Sequence, residues 1–315
     1  MGRRRPSEPS GHAVTMASMR VAVIDVGSNT ARLLVADVTA GGRVSAVLER
    51  RERLGLGAEI AESGGLCART VDMVARVAGR YAGLARSQGA ERTRAIVTAP
   101  GRQGRSPGGL VRSLAGATGV AVSVLSAEEE GRLSYDGALA RAGRLAVGRV
   151  AVVDVGGGST EIVVGDAGRG PVWVASIDLG SIRLTSRFLR RDPPRAGRLR
   201  KAHDAVRSEM ARIAPPRPDI AFATGGSARA AARLVGEPFT SADLERAIEA
   251  LSARPSGKVA RSAGVHPVRA ASLLGGLLLL AEAARALDRP LVLARGGLRE
   301  GAALALARTE LTAAA

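Results

Sequence analysis

The sequence predicts a duplicated α/β protein in which two mixed sheets, each flanked by helices, face each other across a cleft. Three observations lead to this fold class. An apolar run ending in aspartate, a glycine-containing turn and a second apolar run occur together twice, as VAVIDVGSNTARLLVAD at residues 21–37 and AVVDVGGGSTEIVVG at 151–165. Each pair precedes alternating helical and strand patterns, which is typical of α/β domains. The 315 residues, 46% of them hydrophobic, can supply two ordinary domain cores.

The first half of the chain is predicted to begin with two short strands joined by the turn GSNT. Short apolar segments predict strands, and apolar residues at helical spacing predict helices. On these grounds strands lie at 20–26, 32–38, 44–53, 92–100 and 120–126, and helices at 64–89 and 106–119. This order implies a mixed sheet with helices on its faces.

A helix is predicted to bridge the two halves. Ser126 and Glu129 have the spacing of a capping box, so the helix starts there and runs over about 127–143. We place the first domain at 19–127 and the second at 128–315. Residues 1–18 are basic and rich in Pro and Ser, and they predict a disordered tail or a true start at Met16 or Met19. They lack the apolar segment of a signal peptide.

The second half repeats the pattern of the first. Strands are predicted at 149–155, 161–165, 172–177 and 290–294, helices at 181–191, 195–213, 240–253, 267–287 and 297–308, and a strand, turn and helix within 215–236. The most apolar segment, 270–287, contains two glycines and Glu282. It falls short of the ~20 clean apolar residues of a membrane span, so we expect a buried helix.

The two glycine turns are predicted to bind phosphate. Each can present several backbone N–H groups on a concave surface, and such nests hold phosphate oxygens. Glycine lets the backbone approach an anion closely, and hydroxyl side chains add donors. The candidate phosphate-binding residues are Gly27, Ser28, Asn29 and Thr30 in the first turn, and Gly156, Gly157, Gly158, Ser159 and Thr160 in the second.

Acidic residues beside both turns predict a divalent cation. Asp25 and Asp154 precede the turns at equivalent positions, and Glu161 follows the second. A carboxylate next to bound phosphate would repel it unless a cation lay between them, and Mg²⁺ favours a few carboxylates together with phosphate oxygens. We therefore predict that Asp25, Asp154 and Glu161 bind Mg²⁺ or Mn²⁺. For Glu161 a solvent-facing strand position is the alternative.

The formal net charge of +17 is carried almost wholly by arginine, since only Lys201 and Lys258 are lysines. A compositional bias toward arginine explains much of this charge, and attraction of a polyanion is compatible with it. Aromatic residues make up only 2% of the chain, which disfavours base stacking, and no nucleic-acid-binding module is present. We therefore expect no nucleic acid as primary partner and no membrane, and a cytoplasmic location.

Five motifs, VIDVGSNTARLLV, SAEEEGRL, VVDVGGGSTEIVVG, ATGGSARAAARL and GGLREG, stand in this order between about residues 20 and 308. In this the chain resembles the exopolyphosphatase/guanosine pentaphosphate phosphohydrolase (Ppx/GppA) family. The resemblance implies duplicated actin-like, ribonuclease H-like domains with an interdomain cleft, and it implies a homodimer.

The resemblance also assigns roles to single residues. It implies that Glu130, the last glutamate before GRL, is the catalytic base, although all three glutamates of EEEG also suit the first turn of a helix. Arg102, in TAPGRQGRS, falls on an arginine of the family pattern, and Arg32 is a second phosphate-facing candidate. We assign GGLREG to a strand-to-helix turn and to packing.

These residues together predict a metal-dependent exopolyphosphatase that releases terminal orthophosphate by Glu-activated water. The chain ends after the two core domains of the family, so short inorganic polyphosphate is the expected substrate. Guanosine pentaphosphate is the closest alternative because no base-recognition signature separates the two. A kinase with an adenosine pocket near ATGGSARA and a non-catalytic polyphosphate or alarmone sensor are alternatives of other classes.

Overall fold

The computed structural model describes residues 18–105, 107–262 and 267–313, so the predicted tail up to residue 17 lies outside the described part. Two five-stranded mixed sheets form the two halves, and in both the strands, counted along each half of the chain, lie in the order third, second, first, fourth, fifth. In each sheet the first three strands form an antiparallel meander, and the last two join in parallel. The duplicated α/β fold class is thereby confirmed.

The elements of the first half follow the predicted order. The strands are β1 (Ser18–Val26), β2 (Thr30–Thr39), β3 (Val44–Arg53), β4 (Arg92–Val97) and β5 (Val122–Val124), and the helices are α1 (Leu56–Ser63), α2 (Ala68–Ser87), α3 (Ala99–Gln103) and α4 (Pro107–Thr118). Helices α2 and α4 cover one face of the sheet, where Val77, Tyr81 and Leu114 are buried against its strands.

The second half has the same sheet topology and more helices. Its strands are β6 (Arg149–Val155), β7 (Thr160–Asp166), β8 (Gly170–Ile177), β9 (Ile220–Thr224) and β10 (Leu291–Leu293). Its helices are α5 (Ala127–Ala142), α6 (Ser181–Phe188), α7 (Ala196–Ile213), α8 (Gly225–Val235), α9 (Ser241–Ser252), α10 (Ser256–Ser262), α11 (Pro267–Leu287) and α12 (Leu298–Ala313). Among the described residues α11 is the helix long and apolar enough to span a membrane, but 72% of the window Ala270–Leu287 is buried in the domain core, as predicted for this segment.

Two helices, α5 and α12, cross between the sheets, and glycines lie at the point where they touch. Helix α5 packs on the second sheet through Tyr135 and Ala138, and α12 packs on the first sheet through Ala303 and Leu304. They cross where Gly137 and Gly301 bring the two backbones into contact, since a Cβ at either position would overlap the other helix. Helix α12 therefore belongs to the second half in sequence and to the first sheet in space.

Three short helices were not predicted, and some predicted strands are too long; the strand expected over 120–126 covers only Val122–Val124. The strand expected over 92–100 ends at Val97, and α3 follows with Pro100 in its first turn, where proline is favoured. Helices α1 and α10 have only 8 and 7 residues. Such lengths give too few apolar repeats for the periodicity to separate them from loops.

Candidate active site

The two glycine turns lie side by side at the ends of equivalent hairpins. Gly27 N donates to Thr30 O at 3.0 Å, and Gly156 N donates to Ser159 O at the same distance. The turns repeat at an offset of 129 residues, so Ser159, rather than Thr160, is the counterpart of Thr30. At the same offset, Arg32 in the first half corresponds to Glu161 in the second. The duplicated positions therefore carry opposite charges.

Both glycine turns line one pocket between the halves. Residues of both turns line it, together with Asp25, Glu130 and Asp154. Within the described chain, the N–H groups of Ser28, Asn29, Gly157 and Gly158 donate to no protein acceptor. Their carbonyls are held instead, since Gly57 N binds Ser28 O at 2.7 Å and Ile182 N binds Gly157 O at 3.0 Å. The turns thus present free donors to the pocket from a fixed backbone, as a phosphate nest does.

The turns also touch each other. A Cβ at Gly158 would lie 2.8 Å from Ser28 Oγ and 2.7 Å from Gln103 Oε1, and one at Gly157 would lie 3.0 Å from Ser28 Cβ. Gln103 joins the halves further, because its Nε2 donates to Gly158 O at 3.2 Å and to Asp178. A side chain at either position would require its neighbours to shift, chiefly Ser28 of the opposite turn and Ala99 of α3.

Glu130 lies in the first turn of α5 and is 7% exposed. The predicted capping box is confirmed, because Ser126 and Glu129 bond each other's backbone N–H groups and leave the Glu130 side chain to the pocket. Arg102 Nη1 donates to Glu130 Oε2 at 2.8 Å. Burial raises the pKa of Glu130 to about 7, and the Arg102 guanidinium opposes that rise. This carboxylate can therefore exchange a proton near neutral pH.

Arg102 joins Glu130 to the second turn. Its Nη2 donates to Ser159 Oγ at 3.1 Å and lies 3.7 Å from Glu161 Oε1. Its Nη1 also donates to Leu125 O at 2.9 Å, just before α5 begins. One side chain from α3 thus holds the base candidate, the turn hydroxyl and a buried acid in a fixed arrangement.

Asp25 and Asp154 lie at the ends of β1 and β6, and burial raises the pKa of both. Asp154 Oδ2 accepts a hydrogen bond from Ser134 Oγ at 2.6 Å, one helical turn after Glu130 in α5. Asp25 Oδ1 and Glu161 Oε2 are buried and have no hydrogen-bond partner. Unpartnered buried carboxylate oxygens are costly unless a cation or water binds them, so the pocket-lining pair Asp25 and Asp154 fits a divalent cation. The structure does not bring all three predicted ligands together, because the ligand oxygens of Asp25, Asp154 and Glu161 do not all lie within 4.8 Å of one another.

Glu161 is fully buried on β7, directly across from Asp154, and does not face solvent. Its pKa is raised well above the usual range, first by burial and then by Glu130 and Asp154. It lies behind the pocket wall rather than on it. Thr160 also lies behind the wall, where its hydroxyl donates to Leu179 O at 2.7 Å. The other predicted turn residues and Arg32 do line the pocket, whereas Arg102, also predicted to bind phosphate, does not.

Sequence reasoning missed several polar residues of the pocket. Arg299 and Glu300 of GGLREG line it and are buried, while Glu300 also caps α12 by accepting from Gly297 N at 2.9 Å. The packing role predicted for this motif is therefore present, together with a place in the pocket. The sequence signal that could have identified Arg299 and Glu300 was their occurrence as a charged pair within a motif typical of a turn. Ser227 and Arg229 of α8 complete this side of the pocket.

A second group of metal-type ligands lies outside the pocket. His203 Nε2 is 3.0 Å from Glu245 Oε1, and His203 Nδ1 is 3.3 Å from Glu282 Oε1. Arg285 bonds Glu245 Oε1 and Glu282 Oε1, the two oxygens that His203 also contacts. Arg207 Nη2 lies 3.5 Å from Glu282 Oε1. Because arginines already hold these oxygens, the group is an ion-pair network that ties α7, α9 and α11 together.

Comparisons with known proteins show which proteins this chain is similar to. The chain matches the model of the Ppx/GppA phosphatase family over residues 34–310. Exopolyphosphatase 1 of Mycobacterium leprae is 30% identical over 300 residues, which cover 90% of this chain and 88% of that protein. Exopolyphosphatase 2 of Mycobacterium tuberculosis is 32% identical over 321 residues, covering 93% and 100%. The crystal structure of an Aquifex aeolicus Ppx/GppA family member has a TM-score of 0.78 and 27% identity, covering 93% of this chain and 99% of that one.

Proposed function

The chain belongs to the Ppx/GppA phosphatase family, and from this premise we propose that it is an exopolyphosphatase acting on inorganic polyphosphate. One observation carries the proposal. Glu130, a buried carboxylate with a pKa of about 7, opens into the pocket that both glycine turns line with free N–H donors. This arrangement places a proton acceptor beside a cradle for a terminal phosphoryl group, which phosphoanhydride hydrolysis requires.

In this mechanism the two turns hold the terminal phosphoryl oxygens. Glu130 accepts a proton from a water molecule whose oxygen forms the new bond to the terminal phosphorus. The bond from that phosphorus to the bridging oxygen breaks, and the shortened chain leaves with the electron pair. Arg102 orients Glu130, and the turn amides stabilise the charge that develops on the phosphoryl oxygens.

Asp25 and Asp154, which line the pocket, would hold a divalent cation, Mg²⁺ or Mn²⁺, which would neutralise phosphate charge when bound. Glu161, the third predicted ligand, lies outside the pocket lining and is not needed for this proposal. The test is phosphate release from polyphosphates of defined length and from guanosine pentaphosphate, each with and without Mg²⁺. Faster release from inorganic chains supports the proposal. Faster release from guanosine pentaphosphate, or phosphate transfer to an acceptor other than water, would replace it. The predicted short-chain preference, homodimer and cytoplasmic location remain predictions.

Removal of divalent cations is expected to abolish phosphate release, because buried Asp25 and Asp154 would otherwise repel the substrate. Dialysis against a chelator, followed by addition of Mg²⁺ or Mn²⁺, measures the loss and its recovery. Asp154→Asn should raise the metal concentration needed for half-maximal activity. Full activity of the chelated protein would show that the acids serve another purpose.

Phosphate release is expected to rise with pH through about 7, because Glu130 accepts a proton only when it is ionised. Arg102 lowers the pKa of Glu130 by charge and hydrogen bonding, so Arg102→Gln should move the midpoint of the kcat/KM profile to higher pH. Arg132→Gln is the matched control, since Arg132 pairs with exposed Glu128 in the same helix. A midpoint that stays in place in Arg102→Gln would contradict the role given to Arg102.

A further inference from the structure

The pocket extends beyond the glycine turns to a second wall, which the mechanism above does not use. This wall is formed by the start of α8 and by side chains from β2 and α12. Its polar members are Ser227, Arg229, Arg32 and Arg299. It is continuous with the turns, because the same pocket contains both.

The N-terminus of α8 is open to this wall. Its N-cap residue, Thr224, makes no capping bond, and its hydroxyl donates instead to Gly296 O at 3.1 Å. Gly225 has a φ of 87° and brings the helix start against Asp154. Ser227 is 8% exposed, and its hydroxyl has no hydrogen-bond partner among the residues described here. A buried hydroxyl without a partner, beside free helix N–H groups, is arranged to meet an anion.

Three arginines line the same wall, next to the pocket carboxylates Asp25, Asp154 and Glu300. Arg32 donates to Thr30 Oγ1 at 3.2 Å, and Arg229 donates to Gly225 O at 3.3 Å. The carboxylates nearest Arg299 are 3.6 and 3.9 Å away. Burial and the charges of Arg299 and Arg229 lower the pKa of Arg32, and the charges of Asp25 and Asp154 oppose this effect. Clustered cations of this kind favour a polyvalent anion.

The wall gives a nucleobase little to bind. Val155, Leu273 and Leu298 are its large apolar members, and none of the described pocket residues is aromatic. Base recognition usually relies on stacking against aromatic rings or on apolar surface. The chemistry of this wall therefore matches further phosphate groups rather than a nucleoside.

We propose that Ser227, Arg229, Arg32 and Arg299, with the N-terminus of α8, form a subsite for the internal phosphates of an inorganic polyphosphate chain. The proposal rests on the exopolyphosphatase function proposed above. It adds the position of the polyphosphate residues that follow the terminal phosphate. It implies that orthophosphate, which fills the turns alone, does not use the subsite. Tripolyphosphate reaches both.

The test measures binding by calorimetry in a Glu130→Gln background, so that ligands are not hydrolysed. Arg229→Met and Ser227→Ala are each expected to weaken tripolyphosphate binding, about tenfold to a hundredfold for the arginine, the usual scale for a charged hydrogen bond. Both should leave orthophosphate binding unchanged. Arg144→Met is the matched control, because Arg144 is exposed outside the pocket and loses the same charge. With Glu130 restored, Arg229→Met should raise KM for tripolyphosphate and leave kcat within about threefold.

Three results would overturn the subsite. Tripolyphosphate affinity equal in Arg229→Met, Ser227→Ala and the control would remove it while leaving the proposed function intact. An equal loss of orthophosphate and tripolyphosphate binding would place Arg229 at the turns instead. Tighter binding of guanosine pentaphosphate than of tripolyphosphate would indicate that the wall binds a nucleoside. If wild-type protein neither binds nor hydrolyses any polyphosphate, the proposed function itself fails, and this outcome is distinct from the others.

Discussion

Glu130→Gln is expected to slow phosphate release from polyphosphate by about 10²–10⁴-fold, the usual scale for loss of a general base. Glutamine keeps the size of the side chain and can still accept from Arg102, but it cannot take a proton from water. Substrate binding should therefore persist. Steady-state phosphate release at saturating polyphosphate, with calorimetric binding of the same ligand, separates the two quantities.

Glu128→Gln is the matched control, because Glu128 lies in the same turn of α5 but pairs with Arg132 on the surface. It should release phosphate at the wild-type rate. If Glu130→Gln hydrolyses as fast as Glu128→Gln, Glu130 is not the base. If it loses binding together with rate, its role is to hold the substrate or the site rather than to move a proton.

Gly301→Ala is expected to destabilise the protein by about 3 kcal/mol, near the upper end for overpacking. Its Cβ would overlap the carbonyl oxygen of Leu133 and approach Gly137 N to 3.1 Å, so α5 and α12 must separate. Because α5 carries Glu130 and Ser134, the protein that still folds should also release phosphate more slowly. Thermal unfolding followed by circular dichroism measures the first effect.

Gly83→Ala provides the comparison for that experiment. Gly83 lies within α2, and a Cβ there meets no atom within 4 Å. Alanine is favoured over glycine inside a helix by up to about 1 kcal/mol, so this variant should unfold at a higher temperature than wild type. Equal unfolding temperatures for Gly301→Ala and wild type would mean that the helices repack at no cost, contrary to the geometry of the crossing.

The parts of the fold and site that repeat within the chain could be predicted from the sequence. Two hairpins with equivalent aspartates indicated two sheets, and the glycine turns were found because each carries several residues of one pattern. Glu130 was identified from its place after the capping pair Ser126 and Glu129 and from the resemblance of EEEGRL. In each case several neighbouring residues belong to one motif, so the sequence favours one local structure over the alternatives.

The parts that depend on distant contacts could not be predicted. Arg299 and Arg229 are single arginines among many, and only the packing of α12 on the first sheet and the position of α8 bring them to the pocket. Ser134 is an ordinary helix residue until β6 places Asp154 beside it. The exact counterpart of Thr30 was obscured by the adjacent Ser159 and Thr160, and the turn hydrogen bond settles it.

The contact between the two turns has a consequence for where a polymer can be cut. Because Ser28 and Gln103 lie against Gly158, the two halves are in contact at the turns. Under the proposed function, this contact favours the approach of a chain end to Glu130 over that of a middle phosphate, and shortening would proceed one phosphate at a time from the end.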